Sequence, residues 1–156
     1  MSAVALSTLD RQSIYIYQSA AGTAVTAASI TNIWLYGTPI AVSNSTGTPE
    51  ITFGSSRINF SNTGNRTVEV LFTGGVSGST TTGQSVAFSI YRTGVLVASA
   101  LTFTTGTANV SNTVVLQWVG TVTSSDYINV YFQNTTASPT TVYVQQGSAV
   151  IARFIN

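Results

Sequence analysis

The sequence predicts an all-β chain, a single-domain sandwich or jelly roll of about ten antiparallel strands with little or no helix. Three observations predict it. Nowhere in the 156 residues do apolar side chains recur at helical spacing over several turns. β-Branched and aromatic residues, which suit a pleated and half-buried surface, alternate instead with polar ones over short runs. Gly, Pro, Asn and Ser interrupt these runs at intervals of roughly 8 to 14 residues, the rhythm of antiparallel strands rather than of strand–helix–strand units.

Residues 1–12 carry no pattern and read as an arm. Ile14-Tyr15-Ile16-Tyr17 alternates as a first strand, after which Gln18 to Ser29 is an Ala/Thr/Ser/Gly run with little to bury. Residues 1–29 are therefore expected to be a docking segment and residues 30–156 the sandwich domain. Ile30 to Tyr36 predicts a strand closed by Gly37-Thr38-Pro39, and Ser43 to Pro49 is turn chemistry. Ile51-Thr52-Phe53 and Ile58-Asn59-Phe60 are short strands. Thr67 to Thr73 puts Val68, Val70 and Phe72 on one face and Glu69 and Leu71 on the other, and Gly74 to Gly83 reads as a polar loop.

Val86 to Tyr91 and Val95 to Ala98 flank Arg92-Thr93-Gly94, where Gly can adopt positive φ and close a tight hairpin. Leu101 to Thr104 follows. Asn112 to Val122 predicts a long strand, with Val114, Leu116 and Trp118 on one side and Val115, Gln117 and Val119 on the other; Gly120 suggests a bulge or bend. Ser125 to Asn134 and Thr140 to Phe154 read as the arms of a long terminal hairpin. Their Tyr and Gln side chains form a half-polar face suited to a subunit contact, since tyrosine is enriched at interfaces. A bulge at Gln146-Gly147 would decide which of Val150 and Ile151 is core.

Composition excludes several functions. Charged residues make up 6% of the chain, against roughly a quarter in ordinary soluble proteins. Arg11, Arg57, Arg66, Arg92 and Arg153 face Asp10, Glu50, Glu69 and Asp126 for a net charge of +1. With no basic cluster, nucleic acid is not an expected partner. No run approaches the ~18 apolar residues of a membrane helix, and Met1 to Leu9 lacks the positive start of a secretory signal. Weak self-repulsion in so uncharged a chain favours life inside an assembly.

Catalytic groups are scarce. His, Lys and Cys are absent, and no two carboxylates lie close in sequence, so no enzyme, metal or cofactor is expected. A glycosidase-like pair would require Glu50 and Asp126 to share one cleft. Glu69 and Asp126 are more simply strand and turn residues, with Asp126 bonding backbone. Gly74-Gly75-Val76-Ser77-Gly78 lacks the Lys and the helix of a phosphate cradle. Tyr, Trp, Asn, Gln and Thr are the side chains of a sugar site, although Trp34 and Trp118 stand at core-like positions.

From about Arg57 to Ile155 the chain resembles the trimeric jelly-roll heads of the C1q/TNF superfamily, in particular those of viral and phage structural proteins. Val86 to Val97 is similar to that family's strand pair across a Gly-containing turn. Ser125 to Asn134 is similar to its G-D-x-[VI]-x-[VL] strand, with Ser125 in place of Gly, and Thr140 to Ile155 to its final strand. The resemblance implies a jelly-roll β-sandwich, a homotrimer and a place on the virion, as an outer-capsid decoration or cement protein bound to the major capsid or another virion protein. The alternative is the receptor-binding head of a fibre or spike that takes a host surface glycan. The family places its last strand in the inner sheet, which nominates Tyr143 and Gln145 for the threefold contact and leaves Tyr127 and Tyr131 on the opposite sheet. Tyr15, Tyr17 and Gln117 complete the expected subunit interface.

Overall fold

In a computed structural model of the chain, the residues described are 13–17, 24–25, 31–32, 40–42, 50–55, 57–61, 64–78, 85–98, 101–104, 112–134, 142–144 and 148–155. They form β1 (Ser13–Tyr17), β2 (Ala24–Val25), β3 (Thr31–Asn32), β4 (Ile40–Val42), β5 (Ile51–Gly54), β6 (Arg57–Phe60) and β7 (Arg66–Gly78). There follow β8 (Ser85–Arg92), β9 (Val95–Leu96), β10 (Leu101–Thr104), β11 (Asn112–Val122), β12 (Tyr127–Asn134), β13 (Val142–Val144) and β14 (Ala149–Phe154). All strand pairings are antiparallel.

Two seven-stranded sheets face one another. In sheet A, β11 and β14 flank β7, β13 continues the β14 side, β1 pairs with β14, and β4 forms the far edge. Sheet B runs β10-β8-β12-β6-β5, with β3 also on β12 and β9 on β8. After β7 the chain crosses between the sheets, to β8, back to β11, over to β12 and back to β13 and β14. That winding makes the sandwich a jelly roll, as expected.

The alternation written in the strands becomes the core. Val68, Val70 and Phe72 of β7, Val114 and Leu116 of β11, and Val150, Ala152 and Phe154 of β14 point inward from sheet A. Val86, Phe88 and Ile90 of β8, Ile128 and Val130 of β12, and Ile58 and Phe60 of β6 meet them from sheet B. Phe72 and Phe88 stack across the gap at 5.3 Å between centroids, and Phe60 meets Phe154 at 6.1 Å. Each buried Phe contributes roughly 2–3 kcal/mol by area alone.

The β8–β9 hairpin closes through Thr93 (φ 48°) and Gly94 (φ 81°), the paired positive φ values of a type I′ turn. Between β13 and β14 the pairing moves from Val144↔Val76 to Ala149↔Thr73, five residues against three. The two extra residues preserve side-chain parity, so Val150 is core and Ile151 stays half-exposed.

Several expectations require correction. β12 and β13 do not form a hairpin; they lie in different sheets, because β12 pairs with β8 while β13 pairs with β7. Gly74 to Gly78 is not loop but the end of β7, paired with β11 and β13. A Cβ on Gly74 would sit 2.5 Å from Phe72 Cζ and 2.8 Å from Ser148 Oγ, so a glycine is needed where these side chains cross. Gly120 marks no bulge: it pairs with Val68 in an unbroken ladder, and it is Gly because the Trp118 ring covers it. β4 falls where no strand was expected, and β2 within the stretch read as loop; of Ile30 to Tyr36, Thr31–Asn32 is strand and 33–36 lie outside the described residues. Residues 13–17, inside the expected arm, pair along their whole length with β14.

Candidate functional site

Three surfaces concentrate the chain's chemistry: the outer faces of the two sheets and a carboxylate clip at one end. On β7, β11 and β14 the rows between the core rows face outward. One such row crosses β14, β7 and β11 as Ile151, Leu71 and Gln117, each directly paired with the next, and positions 15 and 40 continue the pairing beyond Ile151. The next row carries Arg153, Glu69 and Val119, and on the other side Thr73 pairs with exposed Val115, while Ala149, also paired with Thr73, is buried. Of the expected interface residues, Gln117 is exposed in the row it shares with Ile151 and Leu71; positions 15, 17 and 143 pair with 151, 149 and 77, and Gln145 lies outside the described residues.

This face is apolar with its charges cancelled. Val115 is 58% and Val119 49% exposed. Between them Gln117 Nε2 donates to Glu69 Oε1 at 2.6 Å, and Arg153 Nε donates to Glu69 Oε2. The Arg153 and Gln117 hydrogen bonds hold the Glu69 carboxyl below the usual carboxylate range. Val115, Val119 and Arg153 were not nominated from sequence. The two valines were visible as β-branched residues on an otherwise polar strand face.

The outer face of sheet B has a different character. Tyr91 and Tyr131 meet edge to face at 5.0 Å, and the Arg57 guanidinium lies 4.5 Å above the Tyr127 ring. Asn129 sits between the tyrosines along β12, opposite Tyr91, and is buried rather than half-exposed as its alternation suggests. Asn59 Nδ2 donates to the carbonyls of Gly54 and Arg57 at 3.3 Å each, tying down the β5–β6 turn that carries Arg57.

At the end of the sandwich Asp126 clamps two turns together. Arg92 donates to it in fork geometry, Nε to Oδ1 at 2.9 Å and Nη2 to Oδ2 at 2.8 Å. Thr93 Oγ1, the Thr123 N–H and Thr123 Oγ1 donate at 2.9, 2.8 and 3.0 Å. Thr93 N–H in turn donates to the Tyr127 carbonyl at 2.9 Å, so the β8–β9 turn is locked to the start of β12. These donors, Arg92 above all, hold the Asp126 carboxyl far below the usual range. The backbone role expected for Asp126 is present; its bidentate Arg92 partner, 34 residues away, was not foreseen.

No catalytic pairing arises among the described carboxylates. Glu50 pairs with Arg66 at 3.3 Å, Glu69 with Arg153 and Asp126 with Arg92. Glu50 and Asp126 are therefore each held by a separate guanidinium, which leaves neither as a free base. No group of three or more metal-ligating side chains occurs among the described residues, and none of their helices could cross a membrane. Trp118 packs against the core as expected, half-buried; Trp34 lies outside the described residues.

No protein-family model and no curated protein matches the sequence. Solved structures do match the fold. The structure of Eiger TNF from S. frugiperda superposes with a TM-score of 0.60 at 12% identity, covering 93% of this chain and 92% of that one. Murine APRIL at pH 5.0 gives 0.57 at 9% identity over 93% and 99% of the two chains. The PRD1 vertex protein P5 gives 0.51 at 17% identity over 94% and 97%. The fold is thus a TNF-like jelly roll, one it shares with a phage vertex protein.

Proposed function

We propose that this chain is a subunit of a homotrimeric virion structural protein, an outer-capsid decoration or cement protein that packs the outer face of sheet A around a threefold axis. The observation that carries the proposal is the state of that face, where exposed Val115 and Val119 surround a Glu69–Gln117–Arg153 cluster that needs no outside counter-charge. Burying a half-exposed valine contributes about 1 kcal/mol, and a charge group already neutralised adds little desolvation cost. Tyr15, Tyr17, Gln117, Tyr143 and Gln145 are assigned to this contact on the resemblance to trimeric heads. Fold likeness to a vertex protein supports a virion location.

Light scattering on the purified chain tests the assembly. Three subunits of 16.3 kDa give a particle of about 49 kDa. Val119→Asp and Tyr143→Asp each place a carboxylate in the contact and yield monomer, whereas Thr52→Asp, on the exposed edge of sheet B, leaves the trimer intact. A monomeric unmutated protein at micromolar concentration overturns the reading. Attachment to the shell is assigned to the arm. Removing residues 2–12 abolishes capsid binding and spares the trimer, since β1 and its pairing with β14 are kept.

A further inference from the structure

We propose that the outer face of sheet B binds an acidic oligosaccharide, with Arg57 as the anion-binding group and Tyr127, Tyr131 and Tyr91 as the shelf on which sugar rings lie. The starting observation is one of charge accounting. Arg66, Arg92 and Arg153 each hold a carboxylate, while Arg57 holds none among the described residues. Its Nε is buried without a hydrogen-bond partner. An arginine laid flat on an aromatic ring, with no described carboxylate paired to it, can offer its terminal Nη groups to a carboxylate or sulfate.

The surroundings specify what carries that anion. Tyr127, Asn129 and Tyr131 follow one another along a single strand face, so Tyr127 stands about 13 Å from Tyr131, at two strand repeats of roughly 6.7 Å, with Tyr91 opposite Asn129 between them. That is the reach of a short oligosaccharide. Half-buried rings bearing hydroxyls offer apolar surface for sugar C–H faces and hydrogen-bonding groups for sugar hydroxyls. Leu96, 49% exposed and directly paired with Tyr91, adds apolar surface beside the ring shelf. A neutral glycan would leave the lone cation unused. The inference does not depend on trimer formation, since it uses residues of one subunit and the opposite sheet.

The test compares 3′-sialyllactose and a uronic-acid oligosaccharide with lactose, each titrated into the full-length protein and followed by NMR shifts or calorimetry. Both acidic sugars bind at least tenfold more tightly than lactose. Arg57→Gln removes that preference, Arg57→Lys restores part of it, and Tyr131→Ala weakens all binding about tenfold; melting curves confirm that each variant is folded. Equal binding of acidic and neutral sugars, no binding of either acidic sugar, or an undiminished preference in Arg57→Gln overturns the proposal. So does a photo-crosslinker at Ser89 that captures a virion protein across this face in the assembled particle.

Discussion

Replacing Asp126 removes the carboxylate that gathers the β8–β9 turn and the start of β12 into one hydrogen-bonded cluster. Asp126 accepts five hydrogen bonds while almost fully buried, its side chain 9% exposed. Asp126→Ala strands the Thr123 N–H and two hydroxyls, and leaves Arg92 without its partner. An orphaned buried donor costs ~1–3 kcal/mol. The Arg92 side chain is 36% exposed and regains water, so its share is closer to the ~0.2–1 kcal/mol of a surface pair than to the value for a buried one. The sum is about 3 kcal/mol, which in a chain of this length lowers Tm by about 6–12 °C.

Asp126→Asn keeps an acceptor oxygen for Thr123 but loses the charge, and costs about half as much. Melts are run at one protein concentration, because assembly shifts Tm by mass action. A double-mutant cycle with Arg92→Gln then isolates the pair, with an expected coupling of about 1 kcal/mol. If Asp126→Ala melts within about 2 °C of the parent, or the cycle returns no coupling, the clip contributes nothing and the reasoning is wrong.

Acid reads out the same group. Because Asp126 titrates lower in the folded chain than in the unfolded one, its contribution is complete above pH about 4 and is lost as pH falls from there toward the folded value. Tm of the parent is flat from pH about 5 to 7, in a chain without His, and its fall between pH 5 and 3 is shallower in Asp126→Asn; identical slopes refute the assignment. Gly120→Ala puts a Cβ 2.2 Å from Trp118 Cζ2, forcing the ring outward at a cost of ~1–3 kcal/mol. A red-shifted tryptophan emission and a lower Tm report that displacement, and an unchanged spectrum contradicts it.

What could be read from sequence was local. β11 runs from Asn112 to Val122 as the alternation predicts, and the β8–β9 turn follows from Thr93-Gly94. Parity was legible too: Val68, Val70, Phe72, Val114 and Leu116 face the core as their alternation predicts. Sheet membership followed from the family resemblance, which set Tyr127 and Tyr131 opposite the last strand, and not from the pattern, because only pairing with β8 or β7 separates β12 from β13. Gly74 to Gly78 carries almost no side-chain signal, so its strand state comes from the backbones of β11 and β13. The Arg57–Tyr127 stack joins positions 70 apart in sequence through β6–β12 pairing, and no spacing rule reaches that far.

The two sheets divide the chain's few charges in a way that separates assembly from ligand binding. Sheet A carries a carboxylate and a guanidinium that neutralise each other beside exposed valines; sheet B carries a cation with no described counter-charge beside hydroxylated rings. A contact made by the first is driven by apolar burial and is insensitive to ionic strength. A contact made by the second depends on a partly exposed charge, and added salt shortens the Debye length from about 10 Å at 0.1 M to about 3 Å at 1 M. Raising NaCl over that range therefore leaves the ~49 kDa particle intact while abolishing the preference for acidic over neutral sugars. A trimer that dissociates in 1 M salt would mean that ion pairs between subunits hold it, contrary to the closed Glu69–Arg153 pairing. Acidic-sugar binding that survives 1 M salt would mean that the rings, not Arg57, supply the discrimination.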